Sequence, residues 1–403
     1  MTHHVDDLPG VLAEPRSFYV KRRLGETGAY ALEWINAFAH LPAEERKGLL
    51  VHGGTPAQLY LGDQQRFSRD VDLIGGSRGR IEGVLDAIAE RYGGQLFRWE
   101  EVPVQAPPID LQRFSAYFKN AAGDEIPLMI DVIYLAVDLD TTSVRLVRSG
   151  AYFPRDPEDA IETLTPQALI ADKLPTLGFD TLGYSRAPGP LGNPDHVWKQ
   201  LHDITRLIGA CGSLERVREL YERSIAARNA ARGLAHAPDA CLKDAYRVSM
   251  IALAAAMYPN NDDQDGDPNF AVDVDHVRGG QGRFAQHLMK PPSYYDDSAT
   301  TALLASGLLA VRDDAMTAAE LETMFARLRD LSEVFAESGA LRNALKARFD
   351  QAAGPPGWDA PVGSRQLYRL RPSAAMTTWM AANVVSEAKQ LRTTTRFSFE
   401  LAA

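Results

Sequence analysis

Cysteine is nearly missing from this chain: 403 residues contain two, Cys211 and Cys241, with no Cys-x-x-Cys pair and no cluster of histidines near them. A disulfide framework and a structural zinc site both lack material, so two separate reduced thiols are expected. No uninterrupted apolar run reaches the roughly 20 residues that cross a bilayer. The segment Met1-Thr2-His3-His4-Val5-Asp6-Asp7 has neither the basic stretch nor the apolar core of a secretory signal, and the expectation is a cytoplasmic protein with no membrane partner. Excess positive charge is lacking too, with 43 Lys and Arg against 53 Asp and Glu. A net charge of −10 argues against indiscriminate binding to nucleic acid, and no DNA partner is expected. The deficit lies in residues 1–180, which hold 18 basic and 27 acidic side chains, whereas 181–403 hold 25 and 26 and repel a polyanion less.

What is present is ordinary globular material. Apolar residues at 45% and charged residues at 24% exclude wholesale disorder, and the length suits two or three domains. Tyr30, Leu32, Trp34, Ile35 and Phe38 form the apolar stripe of a helix ended by Pro42. Leu49-Leu50-Val51-His52 reads as a strand stopped by Gly53-Gly54, followed by a helix with Thr55 as N-cap and Pro56 as its first residue. Asp70-Val71-Asp72-Leu73-Ile74 alternates as a strand should and stops at Gly75-Gly76, before a helix over Arg80–Arg91. Gln95–Trp99, Leu111–Phe118 and Ile126–Leu135 read as three more strands. Thr165-Pro166 then opens a helix holding Leu169, Ile170 and Leu174. A Gly/Pro-rich stretch, Gly183–Pro194, precedes further helical spacing over Val197–Ile208, Leu214–Ala230 and Leu321–Phe335. The expected architecture is α+β, with a small mixed sheet in a domain over residues 1–180 and a mainly helical, substrate- or partner-binding domain over 181–403.

The chemistry concentrates in the first of these. A side-chain period of two puts Asp70 and Asp72 on one face of their strand, where like charges repel unless a cation neutralises them. Magnesium suits such a pair, since it takes hard oxygen ligands, uses one or two carboxylates and fills its other positions with water and phosphate. Asp131, inside the apolar run Leu128-Met129-Ile130-Asp131-Val132-Ile133-Tyr134, is costly to bury unpaired and joins the pair if its strand is their neighbour. Gly53-Gly54 at a helix start supplies the complementary half, a backbone that approaches a phosphate closely. Taken singly, Asp-x-Asp also occurs on solvated strand ends and Gly-Gly in ordinary turns. Their order, with a third carboxylate following, favours a site for metal and triphosphate.

Leu50-Val51-His52-Gly53-Gly54-Thr55, followed by Arg66-Phe67-Ser68-Arg69-Asp70-Val71-Asp72-Leu73, resembles the signature of the AbiEii/AbiGii-type nucleotidyltransferase toxins, including the MenT-like branch that modifies transfer RNA. Thr165-Pro166-Gln167-Ala168-Leu169-Ile170-Ala171-Asp172-Lys173-Leu174 is similar to that family's helix bearing a nucleotide-contacting lysine. Leu201-His202-Asp203-Ile204 resembles its late aspartate motif, and the likeness covers roughly residues 45–210. It implies a DNA-polymerase-β-like nucleotidyltransferase fold and transfer of a nucleoside monophosphate from an NTP, with release of pyrophosphate. It also implies a toxin whose acceptor is the 3′ end of transfer RNA and whose partner is a cognate antitoxin protein. By the same resemblance Asp70, Asp72 and Asp131 are the metal carboxylates, for Mg²⁺ or Mn²⁺, and Asp131 assists deprotonation of the attacking hydroxyl. Gly53, Gly54 and Thr55 cradle the triphosphate, Ser68 sits beside the metal pair, Lys173 neutralises phosphate charge and Asp203 is the late aspartate. The sequence departs from the family where Gln200 replaces an expected aspartate, which leaves Asp195 competing with Asp203.

Blander readings stand beside these. Lys173 can be a solvated helix lysine or a partner of Asp172, and Ser68 can simply brace a turn. Arg216, Arg218, Arg223, Arg228 and Arg232 offer a basic face, but Glu215, Glu219 and Glu222 interleave with them at ion-pair spacing. His202-Asp203 lacks the further ligands of a His-Asp phosphohydrolase, and the acidic run Asn260–Asp267 fails as a calcium loop because Val272 stands where a glutamate belongs. Arg365, Arg369 and Arg371, with Tyr368 among them, are a second weak basic candidate. The acceptor also stays open between RNA and a protein or small-molecule hydroxyl, and a catalytically silent nucleotide-sensing module is the remaining alternative.

Overall fold

The computed structural model of the protein describes residues 25–61, 68–75, 78–92, 96–104, 110–120, 122–135, 139–145, 160–183, 194–211, 216–257 and 268–285. These fall into two compact units. One takes the described residues up to Leu169 with Ala226–Ala235 and Ala285, and the other takes Ile170–Ile225 and His236–Phe284. The expected helix over Leu321–Phe335, the acidic run at 260–267, the Arg365–Arg371 cluster, Arg66 and most of the Gly183–Pro194 stretch lie outside the described residues.

The first unit opens with α1 (Gly25–His40) and α2 (Ala43–Arg46), and continues with β1 (Leu49–His52), α3 (Gly54–Leu61), β2 (Asp70–Gly75) and α4 (Arg80–Tyr92). Five strands follow: β3 (Leu96–Val102), β4 (Leu111–Lys119), β5 (Glu125–Ile133), β6 (Thr141–Arg145) and β7 (Ala160–Leu164). They form one seven-stranded sheet in the order β3-β4-β5-β2-β1-β7-β6. The pairs β2–β5 and β1–β7 are parallel and the others antiparallel, so the sheet is mixed, as expected, but larger than the sequence suggested. β6 and β7 are the additions. Thr141-Thr142-Ser143-Val144-Arg145 has too little apolar alternation to announce a strand, and β7 is held in part by the Thr163 hydroxyl, which donates to the Val51 carbonyl at 2.9 Å. α3 starts at Gly54 rather than Pro56, so Thr55 lies inside its first turn.

One face of the sheet is apolar because each strand alternates. Val71 and Leu73 of β2, Leu128, Ile130 and Val132 of β5, and Phe114, Ala116 and Phe118 of β4 are all buried. Trp34, Ile35 and Phe38 of α1 and Ile81, Val84, Leu85 and Ile88 of α4 belong to the same core. The opposite face of the same strands carries Asp70, Asp72, Asp131 and Arg113. β4 and β5 are joined by a tight turn in which Gly123 has φ +86° and the Asn120 side-chain oxygen accepts from the N–H groups of Ala122 and Asp124, both at 2.9 Å. That turn sets the register Lys119↔Glu125 and, six residues further on, Arg113↔Asp131.

From Pro166 onward every described element is helical: α5 (Pro166–Lys173), a 3₁₀ turn over Leu174–Leu177, α6 (Asp195–Cys211), α7 (Val217–Arg232), α8 (Pro238–Met257) and α9 (Pro268–Ala285). Thr165 caps α5 as the sequence indicated, accepting from the Ala168 N–H at 3.2 Å, with Pro166 as the first helical residue. In the second unit Trp198 of α6 donates its indole N–H to the Val277 carbonyl at 2.8 Å. Asp244 of α8 accepts from the Asp180 N–H at 2.7 Å and the Thr181 hydroxyl at 2.9 Å, tying down the segment after the 3₁₀ turn. Both cysteines are free thiols. Among the described residues no helix is long and apolar enough to cross a membrane.

The fully buried Trp34 stacks on Phe38 of the same helix at 5.3 Å between ring centroids, and both belong to the core that α1 shares with the sheet. Trp34→Ala is expected to lower unfolding stability by about 3–5 kcal/mol, read from the midpoint shift in urea denaturation at unchanged slope.

Candidate active site

The register builds a transverse row of polar side chains across four strands of the open face. Arg113 of β4 lies opposite Asp131 of β5, Asp131 opposite Asp72 of β2, and Asp72 opposite His52 of β1. Asp70 flanks the row, two residues before Asp72 on the same face, with its Oδ1 accepting from the buried Ser68 hydroxyl at 2.8 Å. The strand neighbourhood expected for Asp131 is therefore present. Both Asp131 oxygens are engaged by Arg113, which the sequence reading did not single out: Nε donates to Oδ1 at 2.7 Å and Nη2 to Oδ2 at 2.6 Å. This two-toothed geometry is the strong form of an arginine–carboxylate pair. The hydrogen bond to Asp131 holds the Arg113 pKa above its ordinary value against the opposing effect of burial, and the charges of Asp131, Asp72 and Asp70 add to it. One guanidinium thus feels all three carboxylates.

Gly53 closes the other end. Its φ of +76° belongs to the left-handed region that glycine adopts freely, and a Cβ built there would lie 1.9 Å from Asp72 Oδ2. The backbone at this turn is pressed against the carboxylate as no other residue type allows. Immediately after it the first turn of α3 presents the N–H groups of Gly54 and Thr55, Pro56 having none, and such a helix start binds anions. Among the described residues no three His, Cys, Asp or Glu side chains are grouped as a metal cage. The donor set offered is the hard-oxygen pair Asp70 and Asp72 beside an anion-binding turn, which fits an ion that takes two carboxylates and completes its shell with water and phosphate.

Lys173 and Asp203 belong to the second unit. Lys173, at the end of α5, donates from Nζ to Asp203 Oδ2 at 2.9 Å and to Gln200 Oε1 at 3.3 Å. With side-chain exposures of 5% and 1% this is a buried ion pair, so Lys173 is neither a solvated lysine nor ion-paired to Asp172, which accepts from the Ser224 hydroxyl at 3.4 Å. Asp195 pairs instead with Lys199 at 3.0 Å. His202 packs edge-on against Phe284 at 5.7 Å. The arginines of α7 and Arg216 just before it meet acids: Arg218 reaches Glu222 at 2.7 Å and Asp239 at 2.8 Å, Arg223 bonds Glu219, and Arg216 lies 3.8 Å from Glu219. Arg228 is buried. This helix carries the ion pairs that its spacing predicted.

Comparison with known proteins gives the class, a nucleotidyltransferase. Residues 38–281 match the family described as nucleotidyl transferase AbiEii toxin, type IV toxin–antitoxin system. The match spans more than half of the chain, and the protein belongs to that family. Among solved structures it is similar to MenT4, a nucleotidyltransferase toxin from Mycobacterium tuberculosis H37Rv, at 15% identity and TM-score 0.39, covering 71% of this chain and 94% of that one. An antigenic nucleotidyltransferase-like protein from Paracoccidioides brasiliensis is similar at 13% identity and TM-score 0.29, covering 45% of this chain and 75% of that one. No curated protein matches the sequence.

Gly53→Ala combines a strained φ, costing about 1–3 kcal/mol, with a collision at Asp72. The variant is expected to melt earlier and to lose nucleotidyl transfer by about 100-fold, as small misplacements of reacting groups do; a thermal melt and a transfer assay read the two effects separately. Asp203→Asn strands a buried lysine charge and is expected to cost about 3–5 kcal/mol in denaturant unfolding.

Proposed function

We propose that this toxin transfers a nucleoside monophosphate from an NTP to the 3′-terminal hydroxyl of transfer RNA in the cytoplasm, blocking translation, with a magnesium ion at Asp70 and Asp72. The observation that carries the metal and nucleotide part is the Gly53 turn seated on Asp72, which brings an anion-binding helix start and a carboxylate pair to one spot. The RNA acceptor is carried by the likeness of residues 50–55, 66–73, 165–174 and 201–204 to a family that includes a branch modifying transfer RNA. Manganese shares the preference for oxygen ligands and is the expected substitute.

In this reading Gly53, Gly54 and Thr55 hold the triphosphate through backbone N–H groups, and Ser68 keeps Asp70 oriented by its hydrogen bond. Lys173 is the candidate to neutralise phosphate charge, and Asp203 fixes its ammonium. When bound, magnesium supplies charge neutralisation at the triphosphate and at the attacking and leaving oxygens. The acceptor oxygen forms a bond to the α-phosphorus while the bond from the α-phosphorus to the bridging oxygen breaks and pyrophosphate departs. The hydroxyl proton passes toward Asp131, a carboxylate kept in place by Arg113. A family membership in toxin–antitoxin systems brings a cognate antitoxin as partner.

The test incubates the protein, and its Asp70→Ala/Asp72→Ala variant, with Mg²⁺, each of four α-labelled NTPs, and total RNA or total protein. Label on RNA of transfer-RNA size, abolished in the variant while its melting curve is kept, is expected. Label on protein would replace the acceptor, and NTP binding without label on anything would make the chain a nucleotide-sensing module.

A further inference from the structure

In an in-line displacement the attacking oxygen and the departing pyrophosphate lie on opposite sides of the α-phosphorus, so the site needs one end for the triphosphate and another for the acceptor. The transverse row has two such ends. The Gly53 turn lies beyond Asp72, and Arg113 lies beyond Asp131, the carboxylate toward which the acceptor proton passes. The guanidinium meets Asp131 side-on, through Nε at 2.7 Å and Nη2 at 2.6 Å. A guanidinium has five N–H donors, and this side-on pair uses two of them. Its outer edge, formed by Nη1 and the second Nη2 hydrogen, makes no hydrogen bond among the described residues, and the side chain is 33% exposed. The β3 residue opposite Arg113 is Val102, which has no oxygen to offer in its side chain. Glu100, next along that face of β3, is bonded by the Tyr117 hydroxyl and paired with Arg98 at 3.0 Å.

We infer that the outer edge of Arg113 binds a phosphodiester of the acceptor strand, the one that precedes the terminal nucleotide, while the inner edge holds Asp131 at the 3′ hydroxyl. One ribose separates that hydroxyl from that phosphate, and one guanidinium separates the two edges. Two parallel N–H groups match two phosphate oxygens as they match the two carboxylate oxygens on the inner side. A strand that ends here also brings its phosphates toward Asp70, Asp72 and Asp131, whose charges all act on Arg113. A cation at the acceptor end offsets that repulsion where the strand enters. The inference rests on the 3′ hydroxyl of RNA being the acceptor, and it names the contact that selects a strand end over a serine or threonine hydroxyl, which has no phosphate at that distance.

Equilibrium binding without nucleotide tests this, because it can be read in variants that no longer react. The full-length protein is titrated against two forms of the transfer RNA it labels, one natural and one rebuilt by ligation with an uncharged methylphosphonate as the linkage before the terminal nucleotide. Loss of that single charge is expected to weaken binding to the natural protein by at least about tenfold, as loss of a charge-assisted hydrogen bond does. In Arg113→Gln the two RNAs are expected to bind alike, and the slope of log affinity against log salt is expected to fall by about one. A residue that only braced Asp131 would leave both the penalty and the slope unchanged. If Arg113→Gln loses its cooperative melt, Arg113→Lys replaces it: an ammonium cannot present two forked edges, and the penalty is expected to fall to about threefold. The same penalty in the natural protein and the folded variant, or no penalty in the natural protein, overturns the inference while leaving RNA as the acceptor. No label on any RNA in the transfer assay overturns the acceptor and this inference together.

Discussion

Repulsion between carboxylates on hydrogen-bonded neighbouring strands is what the first unit is built to contain. The parallel pairing of β2 with β5 sets Asp72 directly beside Asp131, and nothing intrinsic to that pairing is favourable for the two charges. The apolar reverse face supplies the restraint. Val71 and Leu73 are buried against the same core as Ile130 and Val132, and a slip of one residue would turn the aspartates into that core. The register is therefore fixed by hydrophobic burial on one side and exploited electrostatically on the other. Arg113 compensates one flank, and the Gly53 turn presses its backbone against the other.

Much of this arrangement was legible in the sequence, because period-two alternation and glycine stops are local signals. The strands carrying Asp70, Asp72 and Asp131, the turn at Gly53 and the helix start at Thr165-Pro166 stand where the residues placed them. β6 and β7 escaped notice because their pairing depends on partners far along the chain, and Thr141-Thr142-Ser143 shows no apolar rhythm. The Arg113 pairing was hidden for a different reason. Within its own strand Arg113 is an unremarked polar residue between Gln112 and Phe114, and only the hairpin register relates it to Asp131. The turn Asn120–Asp124 carried that information, since counting back from Lys119↔Glu125 leads to Arg113↔Asp131.

The two units handle buried charge in opposite ways. Arg113–Asp131 is partly open to solvent and neighbours two more carboxylates. Lys173–Asp203 is shut away among helices, with Gln200 taking a further donor of the lysine. A closed pair of this kind contributes little net stability but strongly penalises loss of either member, which makes it a device for fixing a side chain in one place. The sequence signal for Lys173 was a motif, whereas its pairing with Asp203 shows only in the packing.

The order of the strands along the chain also has a bearing on when the centre comes into being. Asp70 and Asp72 leave the ribosome long before Asp131, and β1, which leads into Gly53, waits for β7, at Ala160–Leu164, to gain its second neighbour. Pairing between residues so distant in the chain comes late in folding. A partly synthesised chain consequently carries the acidic pair without the neighbouring strand that completes the row. In a member of a toxin family, the row of carboxylates is therefore complete only once β5 has been translated.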